Sequence, residues 1–211
     1  MINVLAYADD LVLMAPSGRA MQTLLSVSET AASQIDMTFN TKKTVVMVFS
    51  PCKRSIRIAD VFPTFILAGC TLAFVAHFKY LGHIIENSLS DDQDINREIK
   101  LLFTRTNVLI RRFKCCSTLV KIKLFRSYCL CFYGFALWFN YSTGVFNRLS
   151  SCYSKCLKSF CGCSKYSSVT YMLLDLGLLS FNTLVINHRF SFDNMLAACN
   201  NALVSVVTDC C

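Results

Sequence analysis

Two rhythms of apolar and polar residues divide this chain. Near the N-terminus, Ile2 to Ala6 and Leu11 to Ala15 are short apolar runs separated by Tyr7-Ala8-Asp9-Asp10, which predicts two strands with a polar pair at the tip of their hairpin. Ser17 then stands as an N-cap before a helix reaching about Asp36, in which Met21, Leu24, Leu25, Ala31, Ala32 and Ile35 recur on one face. Phe39-Asn40-Thr41-Lys42-Lys43-Thr44 leads into an apolar strand from Val45 to Phe49. Between Pro51 and Ile85 the pattern is β-like, with Pro51 and Pro63 as punctuation. Gly69 separates Phe65-Ile66-Leu67 from Leu72-Ala73-Phe74-Val75, a small hairpin ahead of Lys79-Tyr80-Leu81-Gly82.

From about Ser90 the rhythm is helical. Ser90 followed by Asp91, Asp92 and Asp94 puts a cap and negative charge at a helix start, where they complement the dipole. Ile95, Ile99, Leu102, Leu109, Ile110 and Phe113 supply the apolar stripe. Ser117 or Thr118 caps a second predicted helix running towards Trp138, and Tyr128 to Tyr141 reads as buried helix. Segments at about 145–160, 168–176 and 181–206 complete the expected set.

The 54% apolar content does not change this picture, because no uncharged run of about 18 to 20 residues exists to span a membrane. Asp9 and Asp10 interrupt the only apolar stretch near the N-terminus, so no secretory signal is expected and an intracellular setting, cytoplasm or nucleus, follows. The 13 cysteines then read as reduced thiols, packed as small hydrophobes at Cys129, Cys131 and Cys199, with no disulfide-linked partner. Cys152, Cys156, Cys161 and Cys163 lie close in sequence, but no histidine accompanies them at zinc-knuckle spacing.

Charge changes the picture more. The net charge is +8, and residues 97–126 alone carry nine basic side chains, Arg97, Lys100, Arg105, Arg111, Arg112, Lys114, Lys121, Lys123 and Arg126, against the single acid Glu98. So local an excess points to a polyanion, nucleic acid before an anionic membrane surface. Adjacent carboxylates at a hairpin tip, Asp9 and Asp10, repel unless solvated or neutralised by a cation, and a hard divalent ion suits them.

The order of Tyr7-Ala8-Asp9-Asp10, a helix, Phe39-Asn40 followed by Lys43-Thr44, and Phe78-Lys79-Tyr80-Leu81-Gly82 resembles the second half of a reverse transcriptase palm from a non-LTR (LINE-type) retrotransposon. Leu124-Phe125-Arg126-Ser127-Tyr128 and Leu137-Trp138-Phe139-Asn140-Tyr141 are similar to the helical region downstream, and the resemblance covers about residues 1 to 190. It implies an α+β chain: a partial polymerase palm, antiparallel sheet with packed helix, over 1–88, then an all-α thumb-like region over 89–211.

The resemblance implies two-metal nucleotidyl transfer with Mg2+, in which carboxylates hold the ions that activate a primer 3′-hydroxyl. Asp9 is then the main metal ligand and Asp10 its support. Tyr7 and Ala8 face the primer, and Lys43 lies near the phosphates of the incoming deoxynucleoside triphosphate. Lys79, Tyr80 and Gly82 form a primer-grip segment, and the basic zone follows the phosphates of an RNA template and DNA primer. A complete site also needs an earlier palm aspartate and fingers, which the family carries upstream of the YADD motif. The chain is therefore expected to be a fragment or decayed copy, inactive as a polymerase by itself. Two alternatives are a non-catalytic binder of RNA or RNA:DNA duplex and an unstable product.

Overall fold

The computed structural model describes residues 3–50, 62–132 and 134–208; Ile2, at the start of the first predicted strand, and Pro51 lie outside the described residues. The architecture is mixed α+β and divides into two units, one formed by residues up to 79 with 86–89, the other by 80–85 with 90 onward.

In the first unit, β1 (Val4–Tyr7) and β2 (Asp10–Leu13) pair antiparallel with Tyr7 opposite Asp10. Helix α1 (Gly18–Ser33) starts where Ser17 accepts the Ala20 N–H at 3.3 Å, satisfying one of the orphan donors of its first turn. The predicted strand at Val45 is short, β3 (Val45–Val46), and runs parallel to β6 (Ala73–Phe74). Between them in sequence, β4 (Ile66–Leu67) and β5 (Cys70–Thr71) form the hairpin expected at Gly69. Ala68 and Gly69 both have positive φ at its tip, the backbone that matches a two-residue turn to the twist of the strands.

A small core holds the unit together: Leu25, Val46, Phe65, Leu67 and Leu72 are buried, with Leu13, Met21 and Phe39 packed against them. Gln22 ties α1 to β4 directly, its amide donating to the Ile66 carbonyl at 2.9 Å and accepting from the Ile66 N–H at 3.0 Å. At the helix start, a Cβ on Gly18 would stand 2.9 Å from Pro63 Cγ, so only glycine lets the two segments approach this closely.

Strands β7 (His77–Tyr80) and β8 (His83–Glu86) are joined by Leu81 and Gly82, both at positive φ. The second unit then continues with α2 (Asp92–Phe113), α3 (Thr118–Cys129), α4 (Thr143–Cys161), α5 (Val169–Asp175), α6 (Phe181–Ala197) and α7 (Ala202–Thr208). Helix α2 packs against α3 and α4. Ile95, Leu102 and Leu109, seven residues apart, form its buried seam. Ser142 and Ser180 cap α4 and α6 through their hydroxyls, and Gly162 at φ 74 closes α4. The largest fully buried side chains of this unit are Trp138, Tyr153, Phe125 and Phe135.

Two predicted helices are cut shorter. Helix α3 ends at Cys129 instead of running to Trp138, and the stretch read as a buried helix up to Tyr141 is irregular in its described part from Leu130 onward. The reason lies in partners distant in sequence. Gly134 sits at φ +126, and Asp91 Oδ2 accepts the N–H groups of Phe139 and Asn140, each at 2.8 Å, while Asp92 Oδ1 accepts that of Ser142. These carboxylates give the loop backbone the hydrogen bonds a helix would otherwise supply. The stretch at 181–206 divides around Asn200 and Asn201, where Asn201 Oδ1 accepts the Leu203 N–H at 2.8 Å and starts α7.

Candidate functional site

The β1–β2 hairpin presents its polar tip to solvent. Tyr7 is 63% exposed, and Ala8, Asp9 and Asp10 are exposed as well. Ala8 occupies the left-handed region at φ 51, which costs a non-glycine residue about 1 kcal/mol and is tolerated here by the tight two-residue turn. Among the described residues neither Asp9 nor Asp10 forms an ion pair or a side-chain hydrogen bond. The pair fits a hard cation as part of an oxygen shell. No group of three acidic, histidine or cysteine side chains suited to a metal occurs among the described residues, so these two carboxylates are short of a full Mg2+ shell.

Lys43 owes its placement to Asn40. The Asn40 carbonyl accepts the N–H groups of Lys43 and Thr44, each at 3.0 Å, and the Thr44 hydroxyl at 2.9 Å, while Asn40 Oδ1 accepts the Lys43 N–H at 3.3 Å. This turn leaves the Lys42 and Lys43 side chains exposed directly before β3, with Phe39 packed on the core behind them. The asparagine, the threonine and the phenylalanine of the motif thus have local structural work, and the lysines form no ion pair among the described residues. In the β7–β8 hairpin Lys79 is exposed, Tyr80 and Gly82 are half-buried, and Gly82 at φ 89 supplies the turn.

In the helical unit the basic residues fall into two groups. Arg97 and Arg105 serve buried acids: Asp94, 2% exposed, accepts from Arg97 Nε at 2.7 Å, and Glu98, 1% exposed, accepts from Arg105 Nη1 at 2.9 Å. Asp94 also receives the Ile84 N–H at 3.0 Å and the Trp138 indole N–H at 2.9 Å, and His83 Nδ1 lies 3.0 Å from it. Burial pulls the Asp94 pKa upward, but the hydrogen bonds from Arg97, Ile84, Trp138 and His83 outweigh it and hold the carboxyl below its ordinary value. Glu98 goes the other way, raised because burial outweighs the attraction of Arg105 and Arg97. Lys100, Arg111, Arg112, Lys114 and Lys123 are exposed, and Lys121 is half-buried. With Lys121 and Lys123 on α3 and Arg111 and Arg112 in the last turn of α2, the α2–α3 corner carries positive charge that forms no ion pair among the described residues. Arg126 instead donates to the Gly177 carbonyl.

Sequence reasoning put no role on His83, Asp94, Glu98 or Trp138 as a set. Their one sequence signal was the i, i+4 spacing of Asp94 and Glu98 beside the apolar seam. The close cysteines Cys152 and Cys156 are buried in the packing of α4, their sulfurs 3.8 Å apart, and Cys129 meets the Thr106 hydroxyl at 3.7 Å. Burial pushes the Cys129 thiol up to about 11, away from the nucleophilic thiolate.

No protein-family model, no curated protein and no solved structure matches this chain.

Proposed function

We propose that the chain is the late-palm and thumb-like part of a reverse transcriptase of the non-LTR retrotransposon type, and that by itself it holds RNA or RNA:DNA duplex without polymerising. The observation that supports this reading best is the order of its motifs: the YADD tetrapeptide at an exposed two-residue hairpin tip, an Asn40-organised turn presenting Lys43, the Lys79-Tyr80-Leu81-Gly82 hairpin, and then a basic helical region. In a complete enzyme of that type Mg2+ would bind the carboxylates and deoxynucleoside triphosphates would be the substrates.

Binding rests on Arg111, Arg112, Lys114, Lys121 and Lys123, which act through phosphate neutralisation and counterion release with little sequence preference. Reversing the charge of Arg111 and Arg112 together is expected to weaken binding to a short RNA:DNA hybrid by about tenfold or more, and to flatten the salt dependence by about two phosphate contacts. Unchanged affinity in a titration at several salt concentrations would count decisively against the reading.

Polymerisation is tested separately, by template-primed deoxynucleotide incorporation with the purified 211-residue chain. The expected result is equal incorporation by the chain and its Asp9→Ala variant. Asp9 is exposed and unpaired, so the substitution should change stability by less than about 0.5 kcal/mol and the control stays folded. Incorporation above that control would show a working site and overturn the non-polymerising half of the proposal.

A further inference from the structure

The groove between α2 and α4 carries a second cluster of cations, outside the α2–α3 corner. It has a volume of about 330 Å3, at the small end of ligand-sized clefts. One wall is Asn96, Ile99 and Phe103 of α2; the other is Arg148, Ser151, Cys152 and Lys155 of α4. Arg148, Ser151 and Lys155 recur three and four apart, so the two cations and the hydroxyl between them stand on one face. No acidic side chain lines the groove. Asp92, one turn before Asn96, has its carboxylate accepting the Ser142 N–H, and Lys100 stands exposed between Asn96 and Phe103 in the chain.

Two features give the groove its chemistry. Arg148 is held in place by an Nη2–H bond to Asn96 Oδ1 at 3.1 Å, so part of its ordering is complete before a ligand arrives. Phe103 keeps 41% of its surface exposed and lines the groove with these cations. A flat apolar ring next to fixed positive charge is the arrangement that takes a nucleobase on its face and a phosphate at its edge.

We propose that the α2–α4 groove binds one nucleotide unit of a single-stranded nucleic acid, with the base stacked on Phe103 and the phosphate held by Arg148 and Lys155 beside the Ser151 hydroxyl. This rests in part on the nucleic-acid reading above but uses residues that reading leaves idle.

The test uses the full chain and a fluorescent oligothymidylate followed by anisotropy. Phe103→Ala is expected to weaken binding about 5- to 150-fold, the range for loss of one base-stacking contact. Arg148→Gln with Lys155→Gln is expected to lower the slope of log affinity against log salt by about 0.7, the loss of one neutralised phosphate on a single strand. A 5-iododeoxyuridine oligomer photo-crosslinked to the unsubstituted chain reports without any substitution: the adduct should map to Phe103. Displacement of the probe by thymidine monophosphate would identify a free nucleotide as sufficient occupant, and displacement by the oligomer alone would identify a strand. Wild-type affinity in both variants, or crosslinks elsewhere, overturns the proposal. The two readings fail separately. Loss of hybrid binding on charge reversal at Arg111 and Arg112, with intact groove variants, removes only this inference, and the converse pattern removes only the α2–α3 surface.

Discussion

Asp94→Ala is expected to cost the helical unit about 3 to 5 kcal/mol, the range for breaking a buried ion pair by deleting one partner. Four groups converge on that carboxylate: the Arg97 guanidinium, the Ile84 backbone N–H, the Trp138 indole and the His83 ring. With Asp94 2% exposed, no bulk water replaces the missing acceptor, so each donor is left with a desolvation penalty. Trp138 is the only tryptophan in the chain and sits in the affected joint, which makes its fluorescence a direct reporter during urea unfolding. Asp94→Asn keeps the volume and one acceptor oxygen but turns a second donor towards the existing ones, so a smaller loss is expected. A loss under about 1 kcal/mol in the alanine variant would show that the cluster contributes no net stability.

The same residue sets an acid limit. Its folded pKa lies below the usual 3.8, so its contribution is present above pH 3.8 and is lost as pH falls through the lower folded value. Glu98 has the opposite sign: raised above 4.5, it favours folding below that pH and loses this contribution as pH rises through its folded value. Removal of Asp94 should therefore flatten the fall in stability on the acid side of pH 3.8. An unchanged acid limb in the Asp94→Asn chain would assign that limb to other carboxylates.

Gly134→Ala is the second large effect, expected to cost about 2 to 5 kcal/mol from two additive causes. At φ +126 a Cβ is strained whatever the surroundings, and here it would also stand 2.7 Å from His83 Cε1 and 3.4 Å from Trp138 Nε1. His83 has little freedom to retreat, because its ring is tied to Asp94. The two causes separate in a double-mutant cycle: in a His83→Ala background the overlap is relieved and only the backbone strain remains. Gly144→Ala is the matched control. It lies within α4 with nothing within 4 Å of the added methyl, and should stabilise by up to about 1 kcal/mol through helix propensity. Equal melting temperatures for the Gly134→Ala chain and wild type would show that the 130–142 segment tolerates other paths.

The candidate site was legible in the sequence where it is local. The YADD tip lies at a two-residue turn between two apolar runs, and Asn40 with Lys43 and Thr44 makes a turn through bonds spanning three or four residues. The role of the basic zone was legible only in part. Nine cations read alike in a row, yet Arg97 and Arg105 answer buried acids while Arg111 and Arg112 face solvent. Arg148 and Lys155, seven residues apart on one helix, give no sequence signal, because only the packing of α2 sets Phe103 in the same groove.

What the sequence determined by itself is therefore the local caps and turns and the segregation of charge. Ser17 starts a helix, and Gly69 and Gly82 occupy hairpin tips, because caps and turns are settled by groups within a few residues of each other. Only the tertiary structure decided the fate of Asp91, Asp92 and Asp94. Read as dipole charges at a helix start, they are taken up by Phe139, Asn140, Ser142 and Trp138, some 44 to 50 residues away. Those same bonds open the predicted helix at Tyr128 to Tyr141 into a loop. A buried carboxylate must find its donors wherever the fold brings them, and a loop backbone must find its acceptors likewise, so neither is specified by neighbours in the chain.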